Sequence, residues 1–125
     1  MAMNNIGYFY EKGKGVHKDY FIAMNYYQKA TDLGNSHAMN NLGRFYEEGK
    51  GVDIDYSKAM EYYQKAADLG NSHAMNNLGI FYAKGIGVDK DHSKAITYFQ
   101  KAADLGYATA IDNLRKLNKE KKSDK

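Results

Sequence analysis

The chain has 125 residues, 43% hydrophobic and 26% charged, with no proline and no cysteine. The missing cysteines remove disulfides, thiolate metal sites and cysteine nucleophiles together, and a reducing compartment suits such a chain. The net charge of +3 comes from the C-terminal end: residues 115–125 hold six of the 18 basic and two of the 15 acidic side chains, leaving 12 basic against 13 acidic before them. That is not the basic stripe of a nucleic-acid binder. No apolar run approaches the roughly 20 residues that span a bilayer. Repeat sequence begins at once, so no signal peptide is expected in this chain.

Ala2-Met3-Asn4-Asn5 returns as Ala38-Met39-Asn40-Asn41, as Ala74-Met75-Asn76-Asn77, and weakly as Ala110-Ile111-Asp112-Asn113, each time after 36 residues. Periods of this size signal stacked helical or strand units. The frame sets units at 2–37, 38–73 and 74–109, a half-unit at 110–117, and a basic tail, 118–125, expected to be disordered.

In the first unit Ala2 opens a core-type helix carrying Gly7 and Tyr10. The Gly13-Lys14-Gly15 turn follows, then a second helix with Ala23. In the middle unit Ala38, Leu42, Phe45 and Tyr46 fall on one helical stripe. Gly49 stands where a left-handed residue ends a helix, Val52 plugs the turn, and Asp55 is the expected cap of the next helix. That helix carries Ala59, Tyr62, Tyr63, Ala66 and Leu69 on its apolar side. Gly70 ends it, and Asn71 or Ser72 caps the helix after it. The third unit repeats the plan with Gly79, Tyr82, Gly85-Ile86-Gly87 and Ala95. The half-unit keeps Ala110, Asn113 and Leu114.

Glycine inside a helix costs about 1 kcal/mol relative to alanine. Its recurrence as Gly7, Gly43 and Gly79 predicts close approach of a neighbouring helix, with Ala23, Ala59 and Ala95 on the other side. Tyr10, Tyr46 and Tyr82 are the expected large partners; a fully buried Tyr46 would make Tyr46→Ala cost about 3–5 kcal/mol.

The pattern Ala-x-x-x-Leu-Gly-x-x-Tyr-x-x-Gly-x-Gly-Val-x-x-Asp-x-x-x-Ala, followed by Tyr-x-x-Ala-Ala-x-x-Gly, resembles the Sel-1-like repeat, a longer-turned relative of the tetratricopeptide repeat. It covers residues 2 to about 117. Ile6 replaces leucine and Thr31 replaces the second alanine in the first unit; Arg115 replaces glycine in the half-unit, so the last helix should pack less closely. The resemblance implies an all-α, right-handed α-solenoid of three helical pairs and a closing helix. It also implies a concave groove lined by the first helix of each pair, and adaptor or scaffold work in place of catalysis. Family members occur as bacterial regulators, host-directed effectors and quality-control subunits, which implies the cytoplasm, or a host cell's cytosol for an effector.

Asparagine is a mediocre helix former, yet Asn5, Asn41, Asn77 and Asn113 recur before the Leu/Ile-Gly or Leu-Arg step, with Asn4, Asn40 and Asn76 one residue earlier. Amides offer donor and acceptor, so a column of them suits an extended peptide's main chain. In related tetratricopeptide proteins an asparagine at this step faces the groove and can bind a peptide carboxylate. The structural alternative is that the amides bond to neighbouring helices and fix repeat spacing. By the same register Tyr8, Arg44 and Ile80 should point into the groove, with Glu11, Glu47, Glu48 and Lys84 nearer its rim.

Other chemistry is weakly supported. The Gly-x-Gly turns follow helices and lack the Lys-Ser/Thr ending of a phosphate loop. His37 and His73 lie one repeat apart, about 10 Å or more, too far to share a zinc ion, and no cofactor is expected. Ser36, Ser57, Ser72 and Ser93 fall at caps or first turns, and sequence neighbours such as Ser36-His37 do not make a triad. The expected partner is therefore a protein or an extended peptide, with no nucleic acid and no membrane. Assembly through exposed repeat ends, as self-association, is the alternative; a hydrolase-like enzyme is the remote one.

Overall fold

The computed structural model describes residues 2–123, with side chains described to residue 120. The helices are α1 (Met3–Lys12), α2 (Tyr20–Asp32), α3 (Ser36–Glu48), α4 (Tyr56–Asp68), α5 (Ser72–Lys84), α6 (His92–Asp104) and α7 (Ala108–Ser123). No strand occurs among the described residues. The chain divides into two compact units, one ending at Leu69 and one beginning at Gly70. The first holds the hairpins α1–α2 and α3–α4; the second holds the hairpin α5–α6 and α7.

Local signals fix the helix ends. Asp19, Asp55 and Asp91 accept at 3.0 Å from the backbone N–H groups of Ile22, Lys58 and Lys94. Asn71, not Ser72, caps α5, accepting from the Ala74 N–H at 3.0 Å. Each cap satisfies one of the donors a helix start leaves without an intrahelical partner. Gly49 takes a left-handed φ of 74° and donates to the Phe45 carbonyl. The Asp55 N–H then reaches back to the Tyr46 carbonyl at 3.0 Å, closing the turn onto the helix it leaves.

Periodicity places Leu69 on the core stripe, but α4 stops at Asp68 and Leu69 is 58% exposed. Ala67 is buried in its place.

The helical glycines do mark close approach. A Cβ at Gly43 would lie 2.6 Å from Tyr63 Cε1, one at Gly7 would lie 2.7 Å from Tyr27 Cε1, and one at Gly79 would lie 2.5 Å from Phe99 Cε1. The ring that fills each notch is therefore Tyr27, Tyr63 or Phe99, and not Tyr10, Tyr46 or Tyr82. Tyr46 is three residues past Gly43 on the same helix, so it cannot enter its own helix's notch; a ring from the opposite helix can. Tyr10, Tyr46 and Tyr82 are half-buried and stack instead on Tyr26, Tyr62 and Tyr98, with centroids about 6 Å apart. In the first unit Tyr27 also meets Phe45 edge-on at 5.5 Å. In the second, Leu117 of α7 is buried with Ala95 and Phe99.

The expected disordered tail is helical through Ser123; residues 124 and 125 lie outside the described ones. No glycine or proline follows Gly106, and Lys119, Glu120, Lys121 and Lys122 are good helix formers, so nothing stops α7 at the end of its apolar stripe. Arg115, at the place of the repeated glycine, is exposed.

Two substitutions test this packing with opposite signs. Gly43→Ala gains about 1 kcal/mol of helix propensity but drives a methyl into the Tyr63 ring, and overpacking costs roughly 1–3 kcal/mol. A net loss in the urea unfolding midpoint is expected; a gain would refute the notch. Thr31 has a buried hydroxyl with no hydrogen-bond partner among the described residues. Thr31→Ala, which restores the residue of the other repeats, is expected to stabilise by about 1 kcal/mol.

Candidate functional site

The first helices of the repeats differ from one another on one face. Compared with α3 (Ser36–Glu48), α5 changes only Arg44 to Ile80, Glu47 to Ala83 and Glu48 to Lys84. These positions are i, i+3 and i+4, neighbours on a helix surface. In α1 they are Tyr8, Glu11 and Lys12.

Beside that face the asparagines bond to one another. Asn41 Nδ2 donates to Asn4 Oδ1 at 3.0 Å in the first unit, and Asn113 Nδ2 donates to Asn76 Oδ1 at 2.9 Å in the second. The link runs amide to amide, side chain to side chain, between successive first helices. Asn76 is buried, Asn4, Asn40, Asn41 and Asn77 are half-buried, and Asn5 is exposed.

Glu11 does not sit at a rim. It is 1% exposed and lies at the centre of a polar network. Arg44 clamps it with Nη1 at 2.5 Å and Nη2 at 2.9 Å, the Tyr27 hydroxyl donates to it at 2.6 Å, and Lys50 Nζ lies 3.3 Å away. Arg44 Nη2 also donates to Asn41 Oδ1 at 3.2 Å, joining this network to the amide pair. Burial raises the Glu11 carboxyl's pKa, but the hydrogen bonds from Arg44 and Tyr27 and the charges of Arg44 and Lys50 outweigh it and hold the group at about 2. Burial, and then the Glu11 carboxylate, push the Tyr27 hydroxyl above its ordinary value.

The second repeat carries a related pair: the Tyr63 hydroxyl donates to Glu47 at 2.7 Å, and burial followed by this bond raises its pKa. Both pairs are sixteen residues apart. At the same spacing the third repeat has Ala83 and Phe99, so carboxylate and hydroxyl are lost together.

The other expected residues divide between the units. Tyr8 is exposed, with Lys12 and Lys14 ammonium groups 5.9 and 5.3 Å from its ring centre. Exposed Glu48 approaches Arg44 at 3.8 Å and Lys50 at 3.6 Å. Ile80 and Lys84 line a cavity of about 170 Å³ in the second unit together with Ala83, Phe99, Asn113, Lys116, Leu117 and Glu120. His73, weighed as a metal ligand, packs against the Tyr107 ring at 4.4 Å. Sequence reasoning missed Tyr27, Lys50, Phe99 and Lys116. The joint loss of Glu and Tyr at one spacing is the signal that could have found the first and third.

The family model described as Sel1 repeat matches residues 1–35, 36–71 and 72–107. Its second and third matches begin two residues before the Ala-Met-Asn-Asn frame. The structure is similar to that of a Sel1 repeat protein from Oxalobacter formigenes, with a TM-score of 0.86 and 38% identity, covering 90% of this chain and 46% of that one. It is similar to c5321, described as a protective antigen present in uropathogenic Escherichia coli strains, with a TM-score of 0.83 and 35% identity over 86% of this chain and 23% of that one. Helicobacter pylori cysteine rich protein B gives a TM-score of 0.72 and 35% identity over 77% and 72%. The chain thus spans about half and about a quarter of the first two proteins. A comparison with curated proteins finds no match.

The buried carboxylate gives a pH dependence of definite sign. Its folded pKa of about 2 lies below the ordinary value of 4.5, so its stabilisation is complete above pH 4.5 and is lost as pH falls towards 2. At about 1.4 kcal/mol per pKa unit, on the order of 3 kcal/mol is involved. Urea titrations at pH 7 and pH 3 are expected to show the larger part of this loss, about 2 kcal/mol, in the wild type and a flatter profile in Glu11→Gln. Equal slopes would remove Glu11 from the account.

Proposed function

Because the chain belongs to the Sel1 repeat family, we propose that it is a non-catalytic adaptor that binds a protein or an extended peptide along its first helices. The fold is the family's all-α solenoid of helix-turn-helix repeats. One observation carries the reading: near-identical first helices change at three positions that share one face. Turns, caps and the glycine notch stay fixed from repeat to repeat, while the accessible side chains of that face differ: Tyr8, Arg44 and Ile80 at one position, Lys12, Glu48 and Lys84 at another. Next to that face the amide pairs add donors and acceptors suited to a peptide main chain. The cysteine-free sequence supports work in a reducing compartment such as the cytoplasm. Among the described residues no helix is long and apolar enough to cross a membrane.

The test is panning a random dodecapeptide phage library on the immobilised full chain, then measuring an enriched peptide against the double variant Asn41→Ala/Asn77→Ala. A loss of binding of tenfold or more is expected, with a fall of only a few degrees in melting temperature, since a typical hydrogen bond contributes about 1 kcal/mol. Parallel loss of fold and binding would return the asparagines to spacing alone, and absence of any enriched peptide would end the adaptor reading.

A further inference from the structure

We propose that the third repeat holds an anchor pocket for one bulky apolar side chain, leucine, isoleucine or phenylalanine, that adjoins an acidic residue in a bound extended peptide. This rests on the adaptor reading above and adds what the peptide must contain.

The pocket lies where one polar pair is missing and where Leu117 replaces the larger Phe45 and Phe81 of the earlier repeats. In the first two repeats a glutamate from the first helix meets a tyrosine hydroxyl from the second, Glu11 with Tyr27 and Glu47 with Tyr63. In the third, Ala83 and Phe99 occupy those places. Removing a carboxylate arm and a hydroxyl from facing positions leaves room without an unpaired polar group. The arginine that reaches across to the Glu11 carboxylate comes from the next first helix, Arg44, and its counterpart at the cavity is Lys116; Ile80 stands in register with Tyr8. The result is a cavity of about 170 Å³ lined by the apolar Ile80, Ala83, Phe99 and Leu117, with the Asn113 amide, already bonded to Asn76, beside them. Apolar cavities of about 150 Å³ take up benzene, so the space suits a single large side chain.

The rim selects charge. Lys84 from α5 and Lys116 from α7 stand at the cavity and are exposed, against one carboxylate, Glu120. The net positive edge complements an acidic residue next to the anchor. It disfavours a basic one, since like charges brought together cost binding energy. Burial of the anchor would supply affinity and the lysines would set which sequence context is accepted.

The dodecapeptide panning is read a second time for sequence. Enriched peptides are expected to share Leu, Ile or Phe adjacent to Asp or Glu. A synthetic consensus peptide is then titrated against Ala83→Glu/Phe99→Tyr, which installs the pair the other repeats already carry, and against Ala83→Leu, which fills the space with apolar atoms. Both are expected to keep the helical circular dichroism and to weaken binding at least tenfold. Lys84→Glu/Lys116→Glu should keep the apolar requirement and lose the acidic one. Enriched peptides lacking the apolar-acidic pair, or unchanged binding by the folded pocket-filling variant, overturn the pocket while leaving the adaptor reading in place. No enrichment from the library overturns both.

Discussion

Each hairpin depends on one contact, a helical glycine against the face of an aromatic ring from the opposite helix. At Gly43 a Cβ would come within 2.6 Å of the Tyr63 ring and 3.1 Å of the Ala59 carbonyl. Such distances leave no space for any side chain, so the glycine sets how closely the two helices approach. The intrinsic cost of glycine in a helix, about 1 kcal/mol, is offset by burying a whole ring; large aromatic side chains are worth about 3–5 kcal/mol when deleted from a core. Tyr27, Tyr63 and Phe99 are all buried at their notches. Small alanines at 23, 59 and 95, all fully buried, complete the approach from the other helix.

The ring that makes this contact also decides what polar chemistry the hairpin carries. A tyrosine there ends in a hydroxyl that is buried and must find a partner. Glu11 and Glu47 provide it. A buried carboxylate in turn needs compensation, and in the first unit Arg44 and Lys50 supply it. The network therefore follows in order from the notch: ring, hydroxyl, carboxylate, guanidinium. Through Arg44 it reaches the amide pair Asn41–Asn4, so packing of one hairpin is joined to the spacing between first helices. In the third hairpin Phe99 ends in carbon, and the demand for a carboxylate disappears with the hydroxyl.

Much of this was legible in the residues. Repeat length, capping aspartates, turn glycines and the helical notch all follow from local chemistry, because each acts within a few residues of itself. The identity of the notch ring did not follow. Tyr46 and Tyr63 both lie on plausible apolar stripes, and only the packing of two helices shows which one crosses. Glu11 was misplaced because an isolated charged residue in a helix reads as solvent-facing; its burial is a property of three other side chains on three other segments. The basic C-terminus was read from its charge, although lysine and glutamate are also good helix formers, and α7 follows the second property. Leu69 satisfied the helical period but fell one residue beyond the helix that would have turned it inward.

The exchange of Glu–Tyr for Ala–Phe shows why a repeat of this kind can vary its surface at low cost to its fold. A buried ion pair is weak in net stabilisation, because desolvation of the charges opposes their attraction; replacing all partners together with apolar groups is often neutral or better. Removing one partner is the costly step, since it strands a buried charge or hydroxyl. The third repeat loses both members of the buried pair, with Ala83 for glutamate and Phe99 for tyrosine, carries an exposed Lys116 where the cluster has Arg44, and keeps Gly79 and its ring contact. The notch fixes the backbone, so the residues beside it are released to differ. An apolar cavity edged by lysines then stands where the first repeat has a sealed ionic cluster.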